Sequence, residues 1–323
     1  MRAAIFYGPG SIEVADRPDP VIEKPTDAIV RVVLGCVCGS DLWYYRGESP
    51  HAVGSIGHEF IGMVEEIGSE VAGIAVGDLT VAPFVYCDMT CPHCRAGVTS
   101  HCVAGGSFGN GETDGGQGEV VRVPLAGSSL VPVPGSPSGH SDETLRSLLA
   151  LSDVMCTSHH AAVCGRVTKG ATVAVVGDGA VGLSAVLASR RLGAERIIAL
   201  SRNPVRQELA RSFGATDILA ERGDAAIAAV LGIARPGSTV GVVGAPHGAD
   251  VPFEANFWRS VGWKGGVAPA RAYIPALLDD VLSGAINPGR VFDYETSLEG
   301  IADAYAAMDQ RRAIKSLVRV GSI

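Results

Sequence analysis

ATVAVVGDGAVGLSAVLASRRLG, residues 171–193, is the stretch on which the fold turns. It opens with an apolar run, Ala171 to Val176. It then turns through Gly177-Asp178-Gly179-Ala180-Val181-Gly182 and continues with apolar residues at helical spacing. A G-x-G-x-x-G hexapeptide alone is a weak signal. One that follows a strand and opens a helix has the context of a dinucleotide-binding turn. There Gly177 permits the tight turn, Gly179 lets the backbone approach a pyrophosphate, and Gly182 allows close helix–strand packing. Ala180 and Val181 begin the helix, whose N-terminus stabilises phosphate charge.

Downstream, RIIALS reads as a second strand and PVRQELARSFG as a second helix. Strand alternating with helix predicts a parallel, doubly wound sheet. Upstream the texture differs. AIVRVVLGCVCG, FIGMVEEIG, DLTVAPFVY and GEVVRVP are β-branched runs broken by glycine, which predicts a largely β domain. Residues 125–141, rich in Pro, Gly and Ser, read as a loop, and residues 142–166 as helical. Beyond Arg271, YIPALLDDVLSG and GIADAYAAMDQ read as helices and SLVRV as a closing strand.

The chain has 323 residues, which favours two domains over one. Hydrophobic residues make up 47%, enough for a sizeable core, and the formal net charge is −8. An acidic chain lacks the electrostatic footprint of a nucleic-acid binder. The most apolar stretch is interrupted by Asp178 and glycines, so no membrane span or membrane partner is expected. The first residues lack the apolar run of a signal peptide, and a cytoplasmic location is expected. Eight cysteines in such a setting point to metal before disulfides.

Two cysteine-containing patterns carry chemistry. Cys38-Gly39-Ser40-Asp41 is followed, twenty residues after Cys38, by Gly57-His58-Glu59. Thiolate and imidazole are donors that zinc prefers. The second pattern is Cys91-x2-Cys94-x7-Cys102, with Cys87 and Asp88 just ahead of it. Cys156 and Cys164 have no motif partner and read as small buried residues.

Together with the glycine turn, these motifs closely resemble the zinc-dependent medium-chain alcohol dehydrogenases. The likeness extends through GHEFIGMVEEIGSEV, GGQGEVVRVP and the tail AIKSLVRV, and so covers nearly the whole chain. The resemblance implies an α/β fold. A mostly β, GroES-like catalytic domain would span residues 1–154 and 272–323, and a Rossmann NAD(P)-binding domain residues 155–271. It implies a catalytic zinc held by Cys38, His58 and Asp153, with Glu59 beside the metal and Asp41 orienting His58. Zinc would lower the alcohol's pKa, and a nicotinamide would take the hydride. Ser40 matches the relay hydroxyl. The family's relay histidine is replaced by Trp43, which with Phe84 matches substrate-pocket positions. A second, structural zinc would be held by Cys91, Cys94 and Cys102. Its fourth ligand is either Asp88, at the family's spacing, or Cys87, favoured by thiolate softness. Two zinc ions per chain are therefore expected.

The resemblance places Thr157, Val243, Gly244 and Ala245 near the nicotinamide and Lys315 at the cofactor pyrophosphate. NAD-specific sites carry an acidic residue at the end of the second strand. This chain has Ser201-Arg202-Asn203 there, with Arg206 close behind, so NADP is expected, with NAD possible. The partner is a small-molecule alcohol or carbonyl. The rival readings are a polyol dehydrogenase, a specialised carbonyl reductase, or a non-catalytic NAD(P)-binding protein. A homodimer or homotetramer is implied, with the apolar stretch containing Phe253, Phe257, Trp258 and Trp263 as its contact. Finally, no apolar strand lies between Gly223 and Leu231, where the family places strand four. Roughly twenty-five residues of the family pattern are missing. A chain discontinuity is expected between Gly223 and Leu231, the alternative being a true deletion with strands one and five closing the gap.

Overall fold

The computed structural model describes residues 1–111, 113–221, 232–244 and 253–323, apart from the side chain of residue 255. The chain divides into two compact units. One comprises Met1–Asp153 with Pro269–Ile323, the other Val154–Ala268.

The first unit is built on the strand Ala28–Cys36, buried along almost its whole length. Runs of Val and Ile favour such a strand when both its faces are covered. It pairs antiparallel with Phe60–Ile67, with Val120–Val123 and with Ser316–Arg319. The last pairing sets Leu317 opposite Cys36, so the C-terminal segment is part of this sheet. A second sheet, from Arg2–Gly8, Ser11–Asp16, Gly54–Ile56 and Asn110–Gly111, lies in the same unit. Val30, Val32, Phe60, Val64, Val121 and Val123 form one core. Phe6, Ile56, Ile301 and Tyr305 belong to another.

The helical stretch expected over 142–166 is two helices, Asp142–Leu151 and Val154–Cys164. Ser141 Oγ caps the first by accepting from Thr144 N. Ser152 and Asp153 fall in the break. The expected loop at 125–141 contains one helical turn, Ala126–Ser129, and a short strand, Val131–Pro132.

In the second unit Thr172–Val176, Arg196–Leu200 and Asp217–Leu219 form a parallel three-stranded sheet in that order. Thr239–Val242 and Gly262–Gly265 form a separate parallel pair. Among the described residues no ladder joins the two. Thr172–Val176 is correspondingly less buried than its apolar sequence suggests, and Val176 is exposed. Thr239–Val242 instead lies against the helix Val154–Cys164. A Cβ on Gly241 would stand 1.9 Å from Ala161 O, so only glycine fits that approach. The strands on either side of the expected fourth strand are thus present and unjoined. The expected discontinuity between Gly223 and Leu231 lies outside the described residues. No helix among the described residues is long and apolar enough to cross a membrane.

Candidate active site

Cys38 leaves the end of the central strand, and the short helix Asp41–Tyr45 begins three residues later. Asp41 Oδ2 accepts from Cys38 N at 2.9 Å and so fixes the turn that presents the thiol. His58 is delivered by Gly57, whose φ of +88° is a left-handed conformation. A Cβ there would stand 2.5 Å from Gln117 Cγ, so both conformation and space require glycine. Asp153 comes from the break between the two helices. Phe84 N donates to Ser152 O at 3.0 Å and holds that break in place.

Cys38, His58, Glu59 and Asp153 bring one donor atom each to within 4.8 Å of one another. Asp153 Oδ2 lies 3.7 Å from Cys38 Sγ and 3.4 Å from His58 Nε2. The other ring nitrogen, Nδ1, is 3.4 Å from Asp41 Oδ1. Two residues that the sequence did not single out support this geometry. Gln117 Nε2 donates to Asp41 Oδ2 at 3.3 Å and to Cys36 O at 3.1 Å. Tyr305 OH donates to Gln117 Oε1 at 3.0 Å. Gln117 lies in the GGQGEVVRVP stretch, but nothing in its spacing announces this contact.

The donor set fits a divalent cation. Burial raises the Cys38 thiol pKa, and the neighbouring Glu59 adds to it. Burial opposes charge on His58, but the Cys38 and Asp41 charges outweigh it and raise that pKa well above the ordinary value. Glu59 Oε2 is buried without a hydrogen-bond partner. A bound cation would favour the thiolate and neutral imidazole and offset the crowded negative charge. One thiolate, one imidazole and one carboxylate are zinc donors in number and kind.

Lys315, placed at the cofactor pyrophosphate by resemblance, is buried beside this cluster. Its Nζ donates to Glu59 Oε1 at 2.6 Å and to Val37 O at 3.2 Å, and it is 2% exposed. Its ammonium neutralises a buried carboxylate. Ser40 is half-buried ahead of the Asp41 helix, with Trp43 in its first turn. A cavity of about 460 Å³ adjoins His58 and is lined by Tyr44, His51, Phe108 and Asn110 among others. Neither Trp43 nor Phe84 lines it. Phe84 packs edge-on to His58 at 6.2 Å between ring centroids. Both nitrogens of His51 face carbonyl oxygens, at 2.6 Å from Ala52 O and 2.9 Å from Gly109 O.

The second cluster is Asp88, Cys91, Cys94 and Cys102, with donor atoms again within 4.8 Å. Cys91 and Cys102 Sγ are 3.9 Å apart. Asp88 Oδ1 accepts from Thr90 N and Cys91 N, which hold its pKa far below the usual carboxylate range. Backbone N–H groups also lower the Cys91 thiol to about 7. The softness argument for Cys87 is corrected. Cys87 is fully buried, its backbone pinned to Ser128 and Ser129, and burial raises its thiol to about 11. Asp88 is the fourth member of the cluster, and the Cys87 thiol lies buried beside Cys94 without joining it.

In the second unit Gly177 has φ +117°, and a Cβ on Gly182 would lie 2.0 Å from Gly177 O. Gly179 caps the helix Ala180–Arg191, with open space where its Cβ would be. Ser158 Oγ donates to Val181 O at 2.7 Å and so ties the start of this helix to the helix Val154–Cys164, which also carries the half-buried Thr157. Ser201 and Arg206 are buried, and both bond Asp178. Arg202 is exposed beside Glu221. Val243 and Gly244 follow the strand Thr239–Val242, and Ala245 lies outside the described residues.

Residues 24–135 match the alcohol dehydrogenase GroES-like domain family. The chain is 32% identical to a probable zinc-binding alcohol dehydrogenase of Mycobacterium tuberculosis, over 96% of this chain and 86% of that protein. It is 31% identical to an alcohol dehydrogenase of Cupriavidus necator, over 97% and 96%. Among solved structures, the alcohol dehydrogenase TADH from Thermus sp. ATN1 superposes with a TM-score of 0.90 at 32% identity, over 99% of this chain and all of that one. The first two alignments run to 336 and 361 positions, more than the 323 residues here. Those proteins carry residues that this chain lacks.

Proposed function

Since the chain belongs to the zinc-dependent medium-chain alcohol dehydrogenase family, we propose that it is an oxidoreductase moving a hydride between a small-molecule alcohol, or its carbonyl, and NAD(P). The observation that carries this reading is the convergence of Cys38, His58 and Asp153, drawn from three separate elements onto one point. When bound, zinc supplies the Lewis acidity that lowers an alcohol's pKa, and the nicotinamide supplies the hydride acceptor.

The residues have distinct tasks. Cys38, His58 and Asp153 would hold the zinc as three protein donors. Asp41 takes His58 Nδ1 and so turns Nε2 toward the site, and Gln117 and Tyr305 hold Asp41 in turn. Lys315 keeps Glu59 paired beside the site. Ser40 passes the alcohol proton outward. With Trp43 in place of a relay histidine, the outer relay differs from the family's or is absent. Asp88, Cys91, Cys94 and Cys102 hold the second zinc.

The unit Val154–Ala268 binds the cofactor through Gly177, Gly179 and Gly182. NADP is preferred over NAD, because no carboxylate stands on the end of the strand Arg196–Leu200 and Arg202 is exposed there. The chain assembles as a homodimer or homotetramer in the cytoplasm, where its eight free cysteines stay reduced. The test is a panel of alcohols and carbonyls followed by cofactor absorbance. Cys38→Ser and His58→Ala should abolish turnover and lower bound zinc from two to one per chain. Full turnover in metal-free protein defeats the reading.

A further inference from the structure

Asp178 stands between Gly177 and Gly179, in the turn over which a pyrophosphate would lie. Its side chain reaches across to the end of the neighbouring strand. There Ser201 Oγ donates to Asp178 Oδ2 at 2.9 Å. Arg206 Nη1 donates to the Asp178 carbonyl at 2.9 Å and lies 3.5 Å from Oδ1. The Arg206 and Asp178 side chains are only 8% and 12% exposed. Asn203 caps the helix Pro204–Phe213 by accepting from Arg206 N, which fixes the start of the arginine. Gln207 Nε2 donates to Ser201 O at 2.8 Å and fixes the serine. Turn, strand end and helix are thus locked together by one aspartate, through its carboxylate and its backbone carbonyl.

In a doubly wound sheet the end of the second strand is where the adenosine ribose is read. A carboxylate there accepts from the 2′-hydroxyl, and an arginine accommodates a 2′-phosphate. Here the strand end, Ser201-Arg202-Asn203, has no carboxylate, and the turn delivers one to it. We propose that Asp178 is a specificity-determining residue for the cofactor: its carboxylate keeps NAD usable and limits the preference for NADP. This rests on the cofactor reading above. A 2′-phosphate arriving beside Ser201 meets the Asp178 charge and must compete with it for Arg206. Arg202 is the cheaper cation to recruit. It is 60% exposed, and its ion pair with Glu221 is an exposed one at 3.3 Å.

The experiment is calorimetric titration of NADP and of NAD onto the zinc-loaded full chain, for the wild type, Asp178→Asn and Arg206→Gln. Asparagine keeps an acceptor for Ser201 Oγ and removes the charge. The expected result is a shift of the Kd ratio toward NADP by about tenfold in Asp178→Asn, chiefly through tighter NADP. Arg206→Gln should shift it the other way, by weakening NADP more than NAD. A ratio within about twofold of wild type in Asp178→Asn overturns the proposal. So does equal loss of both cofactors in either variant, the mark of a purely structural carboxylate. Wild-type preference for NAD would defeat the proposed NADP preference yet leave this inference standing if the Asn variant still shifts. Failure of the wild type to bind either cofactor defeats both.

Discussion

Replacing Lys315 by methionine removes a buried ammonium and leaves its partner in place. Glu59 is 1% exposed and Lys315 2%, and their charged atoms are 2.6 Å apart. At an effective dielectric near 20 the direct attraction is about 6 kcal/mol, most of it offset by the desolvation both groups suffer. Removing one partner does not return that balance to zero. It strands the other charge, at a cost of about 3–5 kcal/mol. Val37 O loses its donor as well, which adds about 1 kcal/mol. In a unit of this size such a loss lowers the thermal midpoint by about 10 °C or more. The assay compares calorimetric melting of wild type, Lys315→Met and the double variant Glu59→Gln/Lys315→Met, all zinc-stripped. The double variant buries no uncompensated charge and should recover at least half of the loss. A single variant that melts within about 2 °C of wild type would show that Glu59 is not stranded, and would refute the reasoning.

Asp88→Ala should lower bound zinc from two to one per chain, whereas Cys87→Ala should keep both ions and lose stability through the small void it leaves, as metal analysis and melting would report. Asp217 is held at about 2 by its hydrogen bond from Arg196 and a second from Thr216, so carboxylate NMR should find it there and find it raised, though still below the ordinary value, in Arg196→Met. Because that pKa is depressed, the pair's contribution is present above about pH 4 and is lost as pH falls toward 2. Phe253, Phe257 and Trp258 are 76%, 64% and 75% exposed. Replacing Phe257 and Trp258 by serine should convert an oligomer to a monomer by light scattering at micromolar concentration. A monomeric wild type refutes that contact.

The candidate metal ligands are legible in the sequence because chemistry narrows them to Cys38 and His58 and the family resemblance adds Asp153. Few residue types bind zinc, and Cys38, His58 and Asp153 lie at motif positions. The glycine turn is legible for a similar reason, since its residues are fixed by backbone conformation and close approach. Direction is harder to read. Cys87 is the softer donor, but burial raises its thiol to about 11, and Asp88 completes the cluster. Lys315 occupies a position associated with the cofactor, while burial turns its ammonium to Glu59. Gln117 and Tyr305 were silent because their roles arise only when segments far apart in sequence meet. The sheet of the second unit lies between these cases: its strands are readable, while the stretch between Gly223 and Leu231 lies outside the described residues.

The pairing of Ser316–Arg319 with Ala28–Cys36 also dictates an order of events during synthesis. The central strand of the first unit leaves the ribosome early and must wait for a neighbour made almost at the end of translation. Lys315 and Val37 O, which hydrogen-bond, are 278 residues apart in the chain. The second unit, by contrast, is translated without interruption between the two pieces of the first, and domains fold as units while they emerge. The nascent chain therefore completes its nucleotide-binding half while Glu59 still lacks its counter-charge and one sheet edge stands open.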